Sequence, residues 1–238
     1  MYRRVARLLP FCLLVTACGS SSRHQELLTR REAVRNANEA AAQEAFANDR
    51  STDGFQETRW GMTREEVAAL YPEAATDPVH GDMTTIRSVA ERPARLDFVF
   101  VHDKLAAVTV LFDPADSIRK DFDEVAAALR MKYGTPGHHL DTAANAERRL
   151  RELESGDPRF ADEETLREAR RDTLRAQSQY TLMQQWNSGQ MLVTLSGRQT
   201  PARSEVALVY QSVALKPYLD ETLSDHREQK AFRQAQDL

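Results

Sequence analysis

An amphipathic helix followed by three short apolar strands occurs twice along this chain, and that repeated order constrains the fold more than any other feature. The first helix opens at Thr63, where Thr63 and Glu66 form a capping box and Met62 and Val67 are spaced as its hydrophobic staple. Val67, Leu70 and Tyr71 then share one face, and Pro72 ends the run. Three strands are predicted downstream: 83–89, 94–101 with Leu96, Phe98 and Phe100 on one face, and 105–112. His102-Asp103-Lys104 is short and polar, as a hairpin connection should be.

The second helix spans 117–133, with Ile118, Phe122, Val125, Ala126, Leu129 and Tyr133 on one stripe and Gly134 and Pro136 closing it. Strands are predicted at 180–186, 190–195 and 205–215, with Asn187-Ser188-Gly189 as the turn between the first two. A sheet needs a helix to bury its apolar face. The expected fold class is therefore α+β, built as two helix-plus-three-stranded antiparallel sheet units at 54–116 and 117–216 and read as a duplication.

Three further segments are polar. Residues 142–178 read as a helical hairpin inserted ahead of the last three strands, with Leu150, Leu153, Leu166 and Leu174 on thin stripes and Asp162 capping its second half. Its high arginine and glutamate content suits a projecting, partner-facing element. Residues 23–50 are rich in alanine and charge and lack glycine and proline. They read as a partly helical tether, about 40 Å long if helical throughout, with a disordered tether as the competing reading. Residues 217–238 form a polar tail, partly helical.

Arg3, Arg4 and Arg7 precede an apolar run from Leu8 to Val15, and small Ala17 stands directly before Cys18. This order resembles a bacterial lipoprotein signal with its lipobox. The run is far shorter than the ~20 residues a membrane-spanning helix needs. The resemblance implies that residues 1–17 are a signal peptide and that Cys18 becomes the lipidated first residue of an 18–53 tether. Gly19 after the cysteine resembles an outer-membrane address, facing the periplasm.

Cys12 and Cys18 are the two cysteines of the chain, so lipidation leaves no free thiol and stability has to come from a packed core. Removing the three leading arginines leaves 29 basic against 36 acidic residues, a formal charge of −7. That balance, with no basic run interleaved with aromatics, argues against nucleic acid as a partner.

The segment Gly61-Met62-Thr63-Arg64-Glu65-Glu66-Val67 resembles the small outer-membrane lipoprotein family of BamE, SmpA and OmlA, in which Gly-Met-Thr-x-x-x-Val opens a helix ahead of a three-stranded antiparallel sheet. Gly134-Thr135-Pro136 looks like the Gly-Thr-Pro that follows the helix there, whereas Leu70-Tyr71-Pro72 departs from that family's pattern. Phe55, Trp60-Gly61-Met62 and Lys132-Tyr133-Gly134 resemble equally a loose group of secreted bacterial domains of unknown function. What the resemblance implies is a fold, not a role in assembly.

Signals for chemistry are sparse. His138, His139 and Asp141 are residue types that ligate metals, yet adjacent histidines in an extended loop point opposite ways, and the segment reads as surface loop. Ser188-Gly189 and Ser196-Gly197 lack a nucleophile elbow, and Glu65-Glu66 and Glu163-Glu164 suit helix first turns. Trp60 and Trp186 are candidates either for a ligand pocket or for the core. No cofactor is expected. The sequence therefore reads as a non-enzymatic envelope lipoprotein: a binding or scaffold module with a lipid anchor and an envelope protein partner. The alternatives are a periplasmic hydrolase of cell wall or peptide, and a small-ligand-binding lipoprotein.

Overall fold

The computed structural model describes residues 53–114, 117–156 and 162–224, together with helical positions scattered between Gln25 and Ala37. The signal segment, Cys18, most of the tether and residues 225–238 lie outside the described residues. The chain divides into two compact units, Met1–Ala47 and a body formed by Asn48–Leu238.

The first helix of the body, α1 (Arg64–Leu70), carries the capping box read from the sequence: Thr63 accepts from the Glu66 backbone N–H, and the Glu66 carboxylate accepts from the Thr63 N–H at 2.8 Å. The segment before it is pinned to the start of a strand, since Gly61 donates to the Leu105 carbonyl and Leu105 donates to that of Met62. The strands are β1 (Ala75–Thr76), β2 (Met83–Val89), β3 (Arg92–Val101) and β4 (Lys104–Phe112). After α2 (Ile118–Tyr133) come β5 (His138–Asp141), helices α3 (Thr142–Ser155) and α4 (Glu163–Ala176), then β6 (Tyr180–Asn187), β7 (Met191–Gln199) and β8 (Ser204–Ser212). Residues 216–224 are helical.

The expected pair of three-stranded sheets is not what forms. All eight strands make one antiparallel sheet in the order β1-β2-β3-β4-β8-β7-β6-β5. Its seam is the β4–β8 ladder, from Ala107 opposite Gln211 to Phe112 opposite Val206. The physical reason lies in those two strands. Each is apolar on both faces along Leu105–Phe112 and Val206–Tyr210, as suits a strand with neighbours on both sides. Closed separately, each triplet would leave a long apolar edge of unpaired backbone groups. Joining the third strands removes both edges and leaves the two-residue β1 and four-residue β5 at the rims. The structure stays mixed helix and sheet, and the helix–strand–strand–strand order survives in it, but the two halves share a single core.

That core lies on one face of the sheet. Leu96, Phe98, Val108, Val110, Leu208, Tyr210, Val193 and Leu195 point into it, under α1 through Val67 and under α2 through Phe122, Val125 and Leu129. The stripe read from 117–133 is thus the buried face of α2, which packs on β6, β7 and β8. Helices α3 and α4 pack on each other, with α3 also touching β6. No residue of α3 is buried, and Ala169 is the buried residue of α4. Leu174 departs from its expected place on the internal stripe and is 65% exposed.

Candidate functional site: the outer face of the sheet

Alternation along the strands fixes what the opposite, outer face carries. One row across it reads Ile86, Arg95, Leu111, Ala207, Ser196 and Met183, and the next reads Thr84, Asp97, Thr109, Val209, Thr194 and Gln185. Most of these side chains are half-buried, with Ala207 buried and Ile86 74% exposed. At the Ala107 end the situation differs. Leu215 and Leu219 are buried without joining the main core, as are Val101, Ala106 and Ala107, and the pairing of Ala107 with Gln211 places both sets at the same end of the sheet.

At the opposite end the outer face sinks into a groove of about 310 Å³ between the β2–β3 and β8 strand ends. Its lining includes apolar Ile86, Pro93 and Leu111 and charged Arg95, Asp113 and Arg203. A second depression of about 530 Å³ continues past Arg203 and Ser204 to Tyr180 and Pro201. The charges of the lining are largely matched. Both Nε and Nη2 of Arg95 donate to Oδ2 of Asp97, and Arg203 pairs with Glu205. Asp113 has no cationic partner among the described residues.

The groups with displaced acid strength lie elsewhere and have structural work. Burial raises Tyr210, which stacks on Phe55 at 5.1 Å, and burial also raises Tyr71 beside Phe98. For Asp141 burial alone would raise the carboxyl, but the Arg119 guanidinium at 2.6 Å and the Ala144 N–H outweigh it and hold the group below its ordinary value. Asp141 is thereby the N-cap of α3 and the anchor of the hairpin to α2.

The residues singled out from sequence are not brought together. Trp60 and Trp186 are both in the core, 1% and 3% exposed, and neither borders the groove. Trp186 donates its indole N–H to the Gly134 carbonyl at 2.9 Å and so ties β6 to the end of α2. His138, His139 and Asp141 form edge strand β5 rather than the expected surface loop, because their backbone pairs with Leu182–Gln185. Alternation sends His138 and His139 to opposite faces. No group of three or more histidine, cysteine or acidic side chains suited to a metal ion occurs among the described residues. His102 and Asp103 sit in the β3–β4 turn at φ 47° and 61°. Glu65 and Glu66 occupy the first turn of α1 and Glu163 and Glu164 that of α4. Ser188 stands in the β6–β7 turn, where its hydroxyl donates to the Met191 carbonyl.

What the sequence did not single out is the groove itself, whose lining comes from four separated stretches of chain. Alternation within 94–101 and 105–112 already marks Arg95, Asp97, Thr109 and Leu111 as facing away from the core, and that was the available signal.

Comparison of the chain with family models, curated proteins and solved structures finds no match.

Proposed function

We propose that this chain is a lipid-anchored, non-catalytic binding module of the cell envelope, attached through Cys18 and presenting the outer face of its sheet to an envelope protein. The observation that carries the reading is the character of that face. Antiparallel sheets that expose one face to water are ordinarily polar there. Here Leu111 and Val209, both half-buried, interrupt the threonines at the centre of the sheet, with Met183 further out on β6. Apolar side chains rimmed by matched ion pairs are what a protein-binding surface requires. The basic start, short apolar run and Ala17-Cys18 order support the anchor.

The test uses two readouts on the full chain in cells. Labelled fatty acid is expected to enter the wild-type chain and to be lost in Cys18→Ser; label retained by the variant overturns the anchor. A photo-crosslinking residue at Thr109 or Thr194 is expected to capture a protein of one mass, and the same residue at Glu124 on the exposed side of α2 is not. Equal capture from both faces overturns the binding surface.

A second reading, a small-ligand binder, is favoured by the groove of about 310 Å³, the low end of the size range of small-molecule sites. Native mass spectrometry of the purified chain distinguishes it, since a bound small molecule adds a discrete mass that Leu111→Trp should abolish.

A further inference from the structure

The second depression, of about 530 Å³ at the foot of the hairpin, differs in character from the groove beside it. Gln177 and Ser178 come from the end of α4, Tyr180 from the start of β6, and Gln199, Thr200 and Ser204 from the connection between β7 and β8. Side-chain amides, aliphatic hydroxyls and a phenol therefore line one space, with Pro201 and Ala202 as its apolar part. None of its lining residues is acidic, and the charge among them is the Arg203 guanidinium.

The walls are held by their own bonds. Thr200 and Arg203 exchange both backbone hydrogen bonds, the Thr200 hydroxyl accepts from the Arg203 N–H at 2.9 Å, and the Ser204 hydroxyl donates to the Gln199 amide oxygen. The Arg119 guanidinium lies over the Tyr180 ring at 5.3 Å and is fixed in turn by Asp141. Within that frame the Gln177 amide and the Tyr180 hydroxyl have no hydrogen-bond partner among the described residues. Arg175, whose carbonyl accepts from Ser178, and Arg198, next to Gln199, have no ion pair among the described residues, whereas Arg203 pairs with Glu205.

We propose that this depression is a saccharide site, for a sugar that carries a carboxylate or a phosphate. A pyranose presents hydroxyls that both donate and accept, together with a C–H face that can lie on an aromatic ring. Amides, hydroxyls and a tyrosine beside a proline meet both needs. An apolar ligand would leave the same amides and hydroxyls unpaired. The absence of acidic lining residues avoids setting a carboxylate against the anion, and Arg175 and Arg198 offer charge-assisted donors. The end of α4 would by itself repel an anion, but its last carbonyls are occupied, since those of Leu174 and Arg175 accept from Gln177, Ser178 and Gln179. The site depends neither on the partner surface nor on the lipid anchor proposed above.

The experiment titrates the purified full-length chain with two anionic sugars, the trimer of galacturonic acid and mannose 6-phosphate. The neutral trimer of N-acetylglucosamine and inorganic phosphate serve as comparisons, and saturation-transfer NMR and calorimetry read binding. At least one anionic sugar is expected to bind, and which of them does tells a carboxylate from a phosphate as the anion. The neutral trimer should bind several-fold more weakly. Gln177→Ala and Tyr180→Phe each remove one polar partner and should weaken the anionic sugar several-fold at an unchanged unfolding midpoint, and Ser178→Trp should block it. Arg175→Ala with Arg198→Ala should lower its affinity to that of the neutral trimer. No saturable binding of either anionic sugar at millimolar concentration overturns the proposal. So does an affinity that the Gln177, Ser178 and Tyr180 variants all leave unchanged, or one that the double arginine variant leaves unchanged. Equal affinity for the neutral trimer, or displacement of the anionic sugar by an equal concentration of inorganic phosphate, overturns it as well.

Discussion

Arg92, at the start of β3, places its Nη2 2.8 Å from Oδ1 of Asp121 in the first turn of α2, so a strand of the first triplet holds the helix of the second. The Asp121 side chain is 3% exposed and that of Arg92 20%, and Arg92 also lies over the Phe112 ring at 5.5 Å. Arg92→Ala is expected to cost about 3 kcal/mol, because it takes the guanidinium away from a buried carboxylate. Replacing both partners, as in Arg92→Met with Asp121→Leu, should recover most of that. Urea unfolding measures both, and a single-variant loss under about 1 kcal/mol would reduce the pair to a surface ion bridge.

Gly197 of β7 lies directly beneath α2. A Cβ there would stand 3.0 Å from Ile118 Cγ2 and 3.2 Å from Phe122 Cδ2. Gly197→Ala is expected to destabilise by about 1 to 3 kcal/mol through overpacking, and Gly197→Val by more. Combining Gly197→Ala with Ile118→Val should return part of the loss. No recovery in the double variant would mean that the helix does not press on this strand.

The β2–β3 turn has Ala90 and Glu91 at φ 50° and 63°, a left-handed pair in residues that disfavour it. Ala90→Asn with Glu91→Gly supplies the residues such a two-residue hairpin turn prefers, and should stabilise the body by about 1 to 2 kcal/mol. A thermal midpoint that fails to rise would contradict the turn.

This turn also explains part of what was illegible. No Asn-Gly or Asp-Gly announces it, so the register of β2 on β3 is set by the apolar pattern of Leu96 and Phe98 rather than by loop chemistry. Helices were legible because their ends are local: Thr63, Ser117 and Asp162 each accept the backbone hydrogen bond that a cap requires. Strand partners are not local. The unalternating runs at 105–112 and 206–210 carried the hint that both strands are central, but which strand lies beside which is decided by the edges that pairing removes. Strand β5 was hidden because His138-His139 has neither β-branched nor alternating character, and its pairing with β6 is formed across the whole inserted hairpin. The groove was hidden for the same reason, since strand order alone brings Ile86, Leu111 and Arg203 together.

Asp141 gives the fold an acid-sensitive joint. Its carboxyl is held below the ordinary aspartate value of 3.8, so the ion pair with Arg119 and the cap of α3 contribute fully above that pH. The contribution is lost as pH falls through the depressed folded-state value. Asp141→Asn keeps a capping oxygen but not the charge. Compared with wild type, the variant should be less stable at neutral pH, and the difference should shrink as the solution is acidified below 3.8. A stability gap that stays constant with pH would mean that the Asp141 charge is not coupled to folding.

The inserted hairpin can be removed without breaking the ladder at its base. Asp141 stands opposite Leu182, and the Thr142 hydroxyl accepts from the Thr181 N–H at 2.8 Å, so the two chains are already adjacent where α3 begins. Replacing residues 144–179 with Asn-Gly would close β5 to β6 by an ordinary two-residue turn. Inside the hairpin the ties are Arg170 with Glu154, Arg149 with Asp172, and the Thr173 hydroxyl on the Ala146 carbonyl, all of which vanish together with both helices. The body should therefore still unfold in one cooperative transition, with a midpoint set by the shared core. Loss of cooperative unfolding would assign α3 and α4 to that core. In the folded variant the Thr109 crosslink separates two surfaces. A partner still captured there reads the sheet, and one no longer captured reads the hairpin, as its exposed charged faces led the sequence to suggest.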